Sequence, residues 1–176
     1  MLRSSLLLSL VLPLAACATA PELHVVEAAT PAENALLFDQ VKALEGTWEM
    51  ADEQGVRQVA SVFTLSSNGS VVREVMYPGQ PAEMTNVYHM DGPTLVMTHY
   101  CAGGNQPRMR ACTAEQGTIA FHFDSVTNLT DPQAQYMGEL TLVRVDPDTL
   151  LEEWKTMQDG KVVPEHSPVF TLTRKK

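Results

Sequence analysis

The feature that most constrains this chain is a change of period after Trp48, where helical recurrence gives way to alternation and turn signals arrive at short, fairly even intervals. Asn68-Gly69, Asp91-Gly92 and Asp159-Gly160 each place Gly after Asn or Asp, the pairing that tolerates positive φ in two-residue hairpin turns. Asp146-Pro147-Asp148-Thr149 reads as a longer connection built on a type I turn. The alternation predicts strands at roughly 47–53, 56–66, 70–77, 83–90, 94–101, 108–114, 118–125, 136–145, 149–157 and 168–174. No spacing accommodates helical crossovers between parallel strands, so the sheet is expected to be antiparallel throughout. About nine or ten strands in one domain must close or stack, since long open edges recruit other chains.

One helix precedes them. Thr30-Pro31-Ala32-Glu33 supplies an N-cap, a proline at the first helical position and a Glu three residues past the cap. Leu37, Val41 and Leu44 then recur on one stripe, widened by Phe38, and Gly46 is placed to end the helix.

Residues 1–16 follow another logic. Arg3 gives a positive start, Leu6 to Leu14 an apolar run too short to span a bilayer as a helix, and Leu14-Ala15-Ala16-Cys17 follows. That ending resembles the lipobox of bacterial lipoproteins, which implies that Cys17 is lipidated and becomes the first mature residue. An ordinary signal peptide cut near Ala16 or Ala20 is the alternative, and both put the mature chain outside the cytoplasm. By the same resemblance, Ala18 after the lipidated Cys implies the outer membrane, with the domain facing the periplasm. Residues 17–29 read as lipidated Cys and flexible tether, and 30–176 as a helix plus a strand-rich domain. Removal of 1–16 takes away one basic residue, Arg3, and shifts the net charge from −9 to −10. An acidic domain without a basic cluster beyond Arg174-Lys175-Lys176 repels phosphate backbones, which argues against nucleic acid as a partner.

Leu44-Glu45-Gly46-Thr47-Trp48 at the head of an antiparallel run, with Arg174 near its far end, resembles the lipocalin and calycin arrangement. The resemblance implies a single closed antiparallel calycin-like barrel capped by the N-terminal helix, with Arg174 over the Trp48 indole at the closed end. The stretch from Asn86 through Arg110, with its Thr98-His99-Tyr100-Cys101 and Gly104-Asn105-Gln106-Pro107-Arg108-Met109 segments, also resembles a group of uncharacterised bacterial secreted proteins with lipocalin-like barrels. That second resemblance implies no activity.

The chemistry concentrates beside the Asp91-Gly92 turn. A two-residue turn there pairs Met90 with Pro93, and hence Tyr88 with Leu95, Asn86 with Met97 and Met84 with His99. One face then carries Met84, Asn86, Tyr88, Leu95, Met97, His99 and Cys101; the other carries Thr85, Val87, His89, Val96, Thr98 and Tyr100. The first face, rich in polarizable Met and Leu groups that accept variable apolar ligands, is expected to line the interior. Met84, Tyr88, Leu95 and Met97 would form apolar walls, with His99, Asn86 and Asn105 as directed hydrogen-bonding groups. Arg108 and Arg110 share a face after Pro107 and can clamp a carboxylate or phosphate at the rim, or else pair with Glu74, Glu152 or Glu153. Arg73-Glu74 and Glu152-Glu153 alternate across faces, so one member of each pair is expected to enter the barrel and need a partner.

Cys101 and Cys112 bracket a Gly-Gly-Asn-Gln-Pro loop and can either form a disulfide or remain separate thiols. His99 and Cys101, with His122 approaching, make a haem or metal site imaginable, but the spacings match no ligand signature and no cofactor or metal is assigned. Cys101 beside His99 is also the one candidate hydrolytic pair; it lacks an orienting third group, and there is no Gly-x-Ser-x-Gly elbow. The preferred reading is therefore non-enzymatic: a lipid-tethered barrel binding a small, mostly apolar ligand, with an acidic end as an option. A barrel filled by its own side chains and acting through protein contacts is the rival.

Overall fold

In the computed structural model, which describes residues 23–176, the chain forms a short helical segment followed by strands. The predicted capping box is present: Glu33 N–H donates to Thr30 Oγ1 at 3.2 Å, and Thr30 N–H donates to the Glu33 carboxylate at 2.7 Å. The helix breaks once, at Leu37, into α1 (Pro31–Leu36) and α2 (Phe38–Lys42). Leu37, Phe38, Val41 and Leu44 are all buried, as their stripe requires.

The strands are β1 (Gly46–Ala51), β2 (Arg57–Ser66), β3 (Val71–Met76), β4 (Met84–Asp91), β5 (Thr94–Tyr100), β6 (Gln106–Ala111), β7 (Ala114–Glu115), β8 (Thr118–Thr127), β9 (Tyr136–Asp146), β10 (Thr149–Gln158), β11 (Lys161–Val162) and β12 (Val169–Arg174). All pairings are antiparallel, and ten strands close into a barrel in the order β1-β2-β3-β4-β5-β6-β8-β9-β10-β12, with β12 returning to β1. The two-residue strands β7 and β11 extend β8 and β10. Closure leaves no long open edge, which is the solution the strand count demanded.

The helical end of the barrel is closed by one arginine. Arg174 lies 4.3 Å from the Trp48 ring centroid, donates to the carbonyls of Ala43 at 3.0 Å, Glu45 at 2.6 Å and Pro147 at 3.1 Å, and so ties the last strand to the helix, β1 and the β9–β10 turn. Trp48, fully buried, donates its indole N–H to the Leu44 carbonyl at 2.8 Å. Gly46 does not end the helix by a left-handed cap. It opens β1 at φ +130°, and a Cβ there would stand 2.9 Å from Arg174 Nη1, so glycine is required twice over. Gln40 fastens the helix to the β7–β8 turn, accepting from the Gly117 N–H at 2.6 Å and donating to the Glu115 carbonyl at 3.2 Å.

Three local expectations are corrected. At the β4–β5 hairpin the partners are Asp91 with Thr94, Met90 with Leu95, Tyr88 with Met97 and Asn86 with His99. Gly92 and Pro93 are thus the loop, and the register lies two residues from the predicted one. An even shift leaves each side chain on its face. The second correction concerns the Asn68-Gly69 turn: Ser67, Asn68 and Gly69 all have positive φ within a four-residue loop closed by Ser66 and Val71, where two residues were expected. Asp159-Gly160 does form the two-residue turn, with both φ values positive and Gln158 paired to Lys161.

The third concerns the thiols. Cys101 and Cys112 are free, the first half-buried and the second exposed. The β5–β6 loop closes between Cys101 and Asn105, whose carbonyl accepts the Cys101 N–H at 3.1 Å, whereas Cys112 lies beside Thr94 at the other end of the hairpin. At the usual strand rise that separates the two by roughly 20 Å, far beyond disulfide reach. Cys17 and residues 1–16, on which the lipidation and leader expectations rest, lie outside the described residues.

Two outcomes follow. Arg174→Ala removes a stacked cation and three carbonyl contacts, and is expected to destabilise the fold by about 2–3 kcal/mol, read as a lowered urea midpoint at unchanged slope. Alkylation of the unfolded protein without reductant should label the peptides carrying Cys101 and Cys112 alike; unlabelled Cys101 and Cys112 peptides linked to one another would contradict the hairpin geometry.

Candidate functional site

Parity along three neighbouring strands builds the site. In β3, Glu74 shares the inward face of Val72 and Met76; in β4, Asn86 and Tyr88 face inward; in β5, His99 follows Leu95 and Met97. The register sets Glu74 opposite Asn86 and Asn86 opposite His99, so the three form one row across the inner wall. Glu152 enters from β10 on the face of Leu150 and Trp154.

The row is a directed chain of hydrogen bonds. Glu74 accepts from the Ser61 hydroxyl at 2.7 Å, the Asn86 amide at 2.7 Å and the Tyr88 hydroxyl at 2.8 Å, a donor set suited to an ionised, acceptor-only carboxylate. With the Asn86 amide nitrogen committed to Glu74, its Oδ1 faces His99 Nδ1 at 2.7 Å, and Nδ1 must be the protonated nitrogen. His99 Nε2 therefore presents a lone pair, and this atom is buried without a hydrogen-bond partner. The imidazole packs on Trp154 with ring centroids 5.1 Å apart, and the Trp154 indole N–H donates to Glu152 Oε2 at 3.3 Å. Glu152 Oε1 is likewise buried and unpartnered.

Electrostatics follow from this burial. Desolvation lowers His99 to about 4, so the ring is neutral at neutral pH. Burial first, and the neighbouring Glu74 charge second, push Glu152 well above the usual carboxylate range. The Tyr88 hydroxyl is raised well above its ordinary value by burial and by Glu74 and Glu152. Among the described residues, none of the ion pairs includes Glu74 or Glu152.

Of the residues singled out in the sequence, Asn86, Tyr88, Leu95, Met97 and His99 come together inside, all at most 1 % exposed. Met84 is half-buried toward the barrel end away from the helix, and Asn105 is buried there, donating to the Gln135 carbonyl at 3.4 Å while its Oδ1 is unpartnered. The two arginines are elsewhere. Arg108 and Arg110 stand on the outer face of β6 and pair with Asp91 and Asp124, Arg110 at 3.1 and 3.0 Å and Arg108 at 3.6 and 3.5 Å. Neither reaches Glu74 or Glu152, and neither lines the interior. The residue parity of Pro107, Met109 and Ala111, buried inward, forces the arginines out. Glu74, Glu152, Ser61 and Trp154 complete the site; for both glutamates the signal was the alternation with Val72, Met76, Leu150 and Trp154.

His99 and Cys101 do not form a catalytic pair. His99 Nδ1 is committed to Asn86 and Nε2 has no partner within hydrogen-bond reach, while Cys101 Sγ accepts from the Gly103 N–H at 3.4 Å. His122 is exposed and sits against Glu139 on the outside, and among the described residues no group of three or more His, Cys, Asp and Glu side chains is arranged to hold a metal. The thiol thus has no base positioned to activate it.

A surface cleft lies at the end remote from the helix. Its volume is about 210 Å³, and it is lined by Met50, Gln58, Ala60, Tyr77 and Gln80, among others. Tyr77, one of the residues lining it, is half-buried, packs edge-on against Phe170 at 6.4 Å, and has its hydroxyl raised above the ordinary value by burial first and then by Glu152 and Glu74. Its backbone is at φ +52°, an uncommon conformation for a bulky aromatic, held by its N–H donating to the Ala60 carbonyl at 2.7 Å.

The depressed His99 gives a pH signature. Unfolded chains protonate the ring near pH 6.5 and the folded protein only near 4, so the stability tied to its neutral form is complete above 6.5 and falls as pH drops toward 4. Glu152 titrates in the opposite sense, so the effect is read as a difference. Relative to His99→Gln, the wild type should lose about 3 kcal/mol of stability between pH 7 and pH 4 in paired urea titrations; an unchanged difference would refute the buried neutral ring.

Comparison with protein-family models and with curated proteins finds no match for the chain, so its functional reading rests on this geometry.

Proposed function

We propose that this protein is an envelope-tethered, calycin-like barrel that binds a small molecule with a mostly apolar body, admitted at the Tyr77 mouth and directed by the buried polar row. The carrying observation is His99 Nε2: a lone pair on a side chain 1 % exposed, oriented through Asn86 and Glu74, and left without a partner. A buried polar atom costs about 1–3 kcal/mol when unsatisfied, and a fold that holds one in fixed orientation has a use for it. Met50, Met84 and Met137, partly buried against the core, are side chains that repack readily around an entering apolar group. The lipocalin-like indole–arginine closure at the opposite end supports the same polarity, one sealed end and one entrance. Tethering rests on the Leu14-Ala15-Ala16-Cys17 sequence: lipid on Cys17 would hold the acidic domain at the periplasmic side of the outer membrane. An acidic end on the ligand loses its support, because Arg108 and Arg110 are engaged outside the barrel.

One observation favours the rival reading of a barrel that acts through protein contacts. Tyr88, Leu95, Met97 and Phe121 fill the interior with fully buried side chains, leaving the occupant to make its own room. Native mass spectrometry of the detergent-solubilised protein, incubated with a lipid and metabolite extract of the cell envelope, separates the two. A bound species of small-molecule mass that is lost in His99→Leu is expected; a bare protein mass under every condition would favour protein contact.

A further inference from the structure

Three buried side-chain atoms of the interior and its mouth lack a partner. His99 Nε2, by the tautomer its neighbours dictate, and Asn105 Oδ1 are acceptors; Glu152 Oε1 belongs to a carboxyl that burial and the adjoining Glu74 keep protonated, so the Glu74–Glu152 pair carries one proton and one negative charge. Glu74 adds a carboxylate whose donors are neutral hydroxyls and an amide, with no cation paired to it or to Glu152 among the described residues. A buried negative charge without a counter-ion is costly, and it is relieved by a positive group that brings its own hydrogen-bond donors. Resting on the ligand-binding reading above, we infer that the occupant carries a cationic, donor-only head, a primary ammonium, which donates to His99 Nε2 and to Glu152 Oε1, the Glu152 proton being released to solvent as the cation enters, while its alkyl body points to the methionine-lined mouth. Carboxylate-ended ligands would meet acceptors and like charge in the same place.

The path inward suits such a head. Tyr77 and Phe170 at the mouth and Trp154 beside Glu152 offer aromatic faces along the way, to which a desolvated ammonium is attracted. Three donors on one ammonium match more than one acceptor at once, whereas a hydroxyl offers a single donor. Charge also separates the site from the outer face of β6, where the arginines already pair with Asp91 and Asp124.

Three probes of equal length decide the matter. Isothermal calorimetry of the full detergent-solubilised protein at neutral pH is run with butylamine, butanol and butyrate. Saturable binding of butylamine is expected, with butanol and butyrate weaker by about tenfold or more, and Glu152→Gln and His99→Gln each weakening the amine by about tenfold while leaving near-ultraviolet dichroism unchanged. Where one variant fails to fold, the other carries the comparison. Butanol or butyrate binding as well as butylamine would overturn the cationic head and leave the ligand-binding reading intact. Failure of all three, with a bound species still found in native mass spectra, would overturn only this inference; failure of all three with no such species would remove both.

Discussion

The contact between the first and last strands is the constraint on which the remaining structure depends. A barrel exists only if β12 finds β1, the partner most distant in sequence, and the Arg174 side chain is where that long loop closes. Its guanidinium lies on Trp48 and reaches three carbonyls, two in the helix–β1 connection and one in the β9–β10 turn, so one fork-shaped donor array registers helix, first strand and that hairpin together. Lysine, a point charge, could not reproduce that set. The requirement propagates backwards: Gly46 must lack a Cβ to let the guanidinium in, and the α2 stripe must supply Leu44, whose carbonyl fixes the indole.

Once closed, the barrel must reconcile an apolar interior with the polar groups that parity carries inward. Glu74, Asn86 and His99 would each be a liability alone. As cross-strand neighbours they satisfy one another in sequence, and Ser61 and Tyr88 complete the carboxylate's needs from either side. The chain of bonds ends at Nε2, and there the satisfaction stops. Since every preceding atom is constrained, the orientation of that lone pair is a property of the fold rather than of a rotamer free to turn away.

Legibility in the sequence follows what parity can and cannot encode. Alternation located all ten barrel strands and the inward face of β4 and β5, and the pattern around Trp48 and Arg174 anticipated the sealed end. Register was less visible. Gly92-Pro93 forms the β4–β5 loop although Asp91-Gly92 has the stronger turn composition, because Asp91 is retained as the last paired residue opposite Thr94, with its carboxylate shared by both arginines. The Cys101–Cys112 pairing depends on where the β5–β6 hairpin turns, and closure at Asn105 cannot be read from cysteine spacing. Similarly, the arginines found Asp91 on β4, two strands away, and Asp124 on the adjacent β8, whereas Glu74 or Glu152 would have required them to cross the wall. For the arginines the deciding quantity was the face of β6 they occupy, which the inward packing of Pro107, Met109 and Ala111 fixes.

The two ends of the barrel also differ in how they are held, and this bears on access. Around Trp48 the groups are aromatic or branched, fully buried and fixed by hydrogen bonds to carbonyls, so opening that end would break several contacts at once. At the mouth, Met50, Met84 and Met137 are only partly buried, and Tyr77 sits at positive φ against Phe170. Thioethers lose little by repacking, and a residue already in a strained backbone conformation gives back part of that cost when it moves. Local opening is therefore cheapest at the end where Tyr77 and these methionines sit. A filled interior and a binding interior are compatible on these terms: the side chains that occupy the entrance are those least expensive to displace, while the ones that orient the polar row are anchored on strands the displacement leaves in place.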